Sequence, residues 1–191
     1  MNPGILVAIL TLVAFVAMGL YLTLTANKIQ FPPGTRHSAK VAGVRLSIIF
    51  DGTLHFNSDT QKLHIAHIKA AFEAVEQVWL AQGLKRLRSV HPHIVVSCRK
   101  ALPGGMHGLQ TYARGKIGNE MLPMLLIETD TYAPRTASLV IHEMMHLLSS
   151  QINKHPDVPH VSTTLWADRS QESAEVVAQT TYALRAQRRG L

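Results

Sequence analysis

With 191 residues the chain has room for one domain of ordinary size, with a sizeable core, plus an extension. Its single cysteine, Cys98, excludes an internal disulfide, and no repeat or low-complexity tract is evident. The formal net charge of +7 suits an anionic partner, yet the basic residues are scattered apart from Lys85-Arg86-Leu87-Arg88 and Arg185-Ala186-Gln187-Arg188-Arg189. No aromatic-basic interleaving builds a base-stacking platform, so nucleic acid is not expected and anionic lipid is the better match.

From Gly4 to Thr25 no charged residue occurs, and Leu, Val, Ala and Ile dominate. At helical rise this run covers the hydrocarbon core of a bilayer, which predicts a transmembrane anchor over residues 1–27. A cleaved signal peptide fits less well. The run is too long for its apolar region, lacks a preceding Lys or Arg, and ends in the poor cleavage sequence Leu24-Thr25-Ala26. Lys28, Arg36, Lys40 and Arg45 follow the span, and the positive-inside rule then puts the C-terminal part on the cytoplasmic side, the opposite topology staying open.

Residues 28–40, with Pro32-Pro33-Gly34, read as a linker, and the folded domain is expected over 41–191. Val44 to Phe50 has strand character, and Asp51-Gly52 before Thr53-Leu54-His55-Phe56 signals a hairpin. Ser58 is the expected cap of a long scaffold helix, Asp59 to Gln82, stopped by Gly83. His64 and His67 lie on it at a metal-compatible spacing but without an accompanying carboxylate or cysteine, so solvent-facing or core-edge histidines are expected.

His93 to Cys98 reads as a short buried strand, and Leu102 to Gly118 as a loop with a short strand near Leu109 to Ala113. Pro123 places the strand Met121 to Glu128 at a sheet edge, where it is either a plain outer strand or a template for strand addition by an extended peptide. A helix starts at Thr131-Tyr132-Ala133-Pro134, a loop spans Ile152 to Trp166, and a last helix covers Arg169 to Ala186. These elements predict an α+β fold.

The central helix carries His142-Glu143-Met144-Met145-His146 in uncharged surroundings, uninterrupted by Gly or Pro from Thr136 to Gln151. Positions four apart share a helix face, so both imidazoles can address one metal ion while Glu143 leans over the same face. Zn2+ is the expected cofactor, with Glu143 taking the proton of an activated water. A chain with 11 His throws up such spacings by accident, but an accident does not supply a buried helix, where bare histidines and a carboxylate would be costly.

A catalytic zinc needs a third protein ligand. Gly at 149 and His at 152 would provide one pattern, but Ser149 and Ile152 stand there. His155, His160, Glu172 and Glu175 remain, and Glu172, Glu175, Gln179 and Tyr182 step along one face of the final helix.

With these residues the sequence resembles the gluzincin-type zinc metalloproteases, in which a Glu on a later helix completes the His-Glu-x-x-His site. Glu172-Ser173-Ala174-Glu175-Val176-Val177-Ala178-Gln179 is similar to their Glu-x-x-Ala-Glu pattern. The resemblance implies a zincin-like minimal domain: a small sheet on a scaffold helix, an active-site helix and a ligand helix. It implies Glu175 as third metal ligand with His142 and His146, Gln179 in the place of the acid that supports a histidine, and Glu172 as the substitute ligand. The expected activity is hydrolysis of protein or peptide substrates near a membrane. Tyr182 is the first choice for a donor to the oxyanion and His160 the second. Two other functions share these residues: a non-catalytic, membrane-tethered binding module, and a zinc hydrolase of non-peptide amides or esters.

Overall fold

The computed structural model describes Val13 and residues 32–81, 83–114, 121–153 and 169–191. The stretch expected as an anchor lies outside these residues except for Val13, and no helix among the described residues is long and apolar enough to cross a membrane. The chain divides into a compact unit of residues 1–31 with 113–121 and a larger one of residues 32–112 with 122–191. The larger unit holds the candidate site.

Its first elements are strands β1 (Thr35–Val41) and β2 (Val44–Phe50), paired antiparallel from Thr35 opposite Phe50 to Val41 opposite Val44. The hairpin therefore lies one strand earlier than the sequence predicts, and β1 takes up the second half of the expected linker. The two-residue turn is Ala42-Gly43, with φ of 50° and 83°, the doubly left-handed backbone that matches strand twist. Asp51-Gly52 instead makes a local turn in which Asp51 Oδ1 accepts the Thr53 N–H at 2.9 Å and the Asp51 carbonyl accepts the Leu54 N–H at 2.9 Å.

Helix α1 (Ser58–Ala81) follows, capped by Asn57, whose Oδ1 accepts the Thr60 N–H at 2.8 Å. Ser58, the expected cap, is the first helical residue. After the short helix α2 (Leu87–Val90), β3 (His93–Arg99) lies parallel to β2. Strands β4 (Gly108–Arg114) and β5 (Met121–Glu128) complete a mixed sheet of order β1-β2-β3-β5-β4. The edge on that side is β4, and β5 is an inner strand, contrary to the reading of Pro123. The proline fits because the parallel β3–β5 register runs from Val95 opposite Met124 to Arg99 opposite Glu128, beginning just after it.

Helices α3 (Ala133–Asn153) and α4 (Arg169–Arg189) follow, and α1 packs against both. One sheet face supplies Leu46, Ile48, Phe50, Ile94, Val96, Cys98, Leu125 and Ile127 to the core. Against them lie Ile68, Phe72 and Val75 of α1 and Val140, Ile141, Met144 and Leu148 of α3. Alternation along the strands and the spacing of three and four along the helices generate these faces. The α+β architecture expected from sequence is the one observed.

Candidate metal and hydrolase site

Helix α3 is fully packed at Ile141 and Met144, which are 0% exposed, so its rotation is fixed and the His142–Glu143–His146 face is set by the core beneath it. His142 Nε2 and His146 Nε2 come within 3.1 Å of each other, with ring centroids 4.7 Å apart and planes at 83°. Two imidazole nitrogens bound at about 2.0–2.1 Å to one tetrahedral zinc sit roughly 3.3 Å apart, so this pair fits two corners of such a site.

Glu175 reaches the pair from α4, but on the other edge of the ring. Its two carboxylate oxygens lie 3.0 and 3.2 Å from His142 Nδ1. A carboxylate only accepts, so Nδ1 carries the hydrogen and donates it, and a neutral His142 then presents a lone pair at Nε2. Gln179 Nε2 donates to Glu175 Oε1 at 2.9 Å, one turn further along α4. Gln179 thus supports the carboxylate, whereas the resemblance implies that it supports a histidine. Burial pulls the His142 imidazole toward lower pKa, but the hydrogen bond and charge of Glu175, joined by the charge of Glu143, outweigh it and leave the pKa raised.

The ligand role expected of Glu175 requires its oxygens on the Nε2 side of the rings, and they occupy the Nδ1 side. Among the described residues no set of three His, Cys, Asp or Glu converges to hold a metal. His155 and His160 lie outside the described residues, as does the side chain of Glu172.

Glu143 is 3% exposed, and its carboxylate lies against the backbone of Gly108, the first residue of β4. Gly108 escaped the sequence reading because it stood in a stretch read as loop. Beside it, His107 Nδ1 meets Glu128 Oε2, and Arg135 Nη1 donates to Asp130 Oδ2 at 2.9 Å.

Tyr182 is the residue expected to donate to the oxyanion. It is 6% exposed, its hydroxyl meets His67 Nδ1 in the α1–α4 interface, and burial pushes its pKa up to about 12. His64 and His67 are neither solvent-facing nor at the core edge, being 0% and 1% exposed. His64 Nδ1 pairs with Thr136 Oγ1 at 3.1 Å and its ring stacks on Phe56 at 4.9 Å. Burial lowers the pKa of both histidines.

No family model matches the chain, and neither a curated protein nor a solved structure shows significant similarity to it.

Proposed function

We propose that the chain is a membrane-anchored zinc hydrolase that cleaves peptide bonds, with His142 and His146 as two metal ligands. The observation that carries this reading is the double engagement of His142: Nδ1 on the Glu175 carboxylate at 3.0 Å and Nε2 on His146 Nε2 at 3.1 Å. A carboxylate on the far ring nitrogen fixes tautomer and orientation and raises the basicity of a ligating histidine. Glu175 therefore takes the orienting role, and Gln179 holds it in place. The third ligand falls to Glu172, three residues earlier on α4, with His155 and His160 as the other candidates.

Bound zinc would lower the pKa of a water and polarise the scissile carbonyl. Glu143, next to His142 and covered by β4, takes the water proton and passes it to the departing amine. Helix α3 keeps the carboxylate and the imidazoles on one face, so the base and the metal-holding groups share a rigid element. Among the described strands β4 is the outer one on that side, and an outer strand beside Glu143 can offer backbone groups to an extended peptide, which supports a peptide substrate. The apolar run Gly4–Thr25 supplies the anchor, and the basic residues after it favour a cytoplasmic domain.

The test is Glu143→Gln, assayed on peptide substrates alongside metal analysis. The variant should keep its zinc and lose hydrolysis. Retained turnover would refute the mechanism, and a wild-type protein that binds zinc without turnover would favour the binding module.

A further inference from the structure

The geometry points to Gly108 as the positioning residue of the Glu143 carboxylate. A Cβ at position 108 would lie 2.3 Å from Glu143 Oε1, 2.9 Å from Cδ and 3.0 Å from Cγ, inside contact distance along the whole end of the side chain. Gly34, Gly43, Gly83, Gly104, Gly105 and Gly190 have positive φ, and Gly108 is not among them. Backbone conformation therefore does not call for glycine at 108; the position of the Glu143 carboxylate does. The first residue of the edge strand is a wall against which the carboxylate rests, and a side chain there would push the carboxylate from its place.

The wall is tied from behind. The Glu128 N–H donates to the His107 carbonyl at 2.8 Å, and the His107 ring meets the Glu128 carboxylate. Arg135, in the first turn of α3, reaches Glu128 at 3.7 Å and Asp130 at 2.9 Å. The strand head is therefore fastened to the end of β5 and to the helix that carries Glu143. Wall and base are fixed to the same element, so the carboxylate is held in one place relative to His142.

A base that must meet a water within hydrogen-bond reach loses efficiency steeply when displaced, about a hundredfold for a misplacement near 1 Å. The functional consequence rests on the hydrolase reading; the contact itself does not. Two measurements on the full-length protein separate them. In a thermal-unfolding cycle of Gly108→Ala, Glu143→Ala and the double variant, Gly108→Ala should lower the melting temperature in the presence of Glu143 and not in its absence. Equal loss in both backgrounds would overturn the assignment, and the double variant keeps the test readable if Gly108→Ala alone folds poorly. In the second, Gly108→Ala should lower kcat by about ten- to a hundredfold with KM and zinc content unchanged. An unchanged kcat beside a clear thermal coupling would overturn the positioning role. If the wild type shows no hydrolysis at all, the hydrolase reading fails, and the thermal cycle still decides the contact.

Discussion

The carboxylate of Glu175 sits 3.0 Å from Nδ1 of His142, on the ring edge opposite the nitrogen that faces His146. Together with the Gln179 amide at 2.9 Å, it forms a relay from α4 into α3 that ends on the His142 ring. Residues 33 apart in sequence are brought together by two helices that both lie on α1. This places Glu175 behind a candidate ligand, where it orients the ring.

The α1 cap gives a direct check on local structure. Asn57→Ala removes the acceptor of the Thr60 N–H and should cost about 1 kcal/mol in urea denaturation. Ser58→Ala, inside the first turn, should change stability by no more than a few tenths of that. Equal losses would mean that the cap is shared.

The α+β class, the α3 and α4 helices and the approach of Glu175 to His142 were legible in the sequence because each rests on a periodicity that packing reinforces. What escaped was decided by geometry that residue types do not report. Ala42 at φ 50° makes the hairpin turn although alanine is a poor turn former, while Asp51-Gly52 spends its side chain on the Thr53 N–H and starts no strand. Pro123 sits in an inner strand because it lies just before the first residue that pairs with β3 and removes no donor from that ladder. The side of a histidine ring on which a carboxylate lands depends on helix placement to within an ångström, and no spacing rule contains that.

Buried histidines set a pH dependence of stability. Burial lowers the folded-state pKa of His64 and His67 below the usual 6.5, so the unfolded chain takes up protons first as pH falls. Their contribution is intact above pH 6.5 and is lost progressively below it, at no more than about 1.4 kcal/mol per pH unit for each group. His142 has the opposite sign: its pKa is raised, so its contribution holds at low pH and fades as pH rises through the folded value. Denaturation from pH 7.5 to about 5 should therefore be less acid-sensitive in His64→Gln than in the wild type. Identical slopes would remove His64 from the account.

Cys98 is fully buried, and desolvation pushes its thiol pKa up to about 12. Alkylation by iodoacetamide at pH 8 should be absent in the folded protein and complete after unfolding in guanidinium. Rapid modification of the native protein would show that β3 is not packed as described.

The most direct test of the central claim is zinc content and affinity of the full-length protein, compared for the wild type, His142→Ala and Glu175→Gln. About one zinc per chain is expected in the wild type, with loss of binding in His142→Ala. Glu175→Gln should retain the metal with affinity weakened about 10- to 100-fold, as expected for a group that orients a ligand. Abolished binding in Glu175→Gln would make Glu175 a ligand itself, and a metal-free wild type would contradict the account altogether.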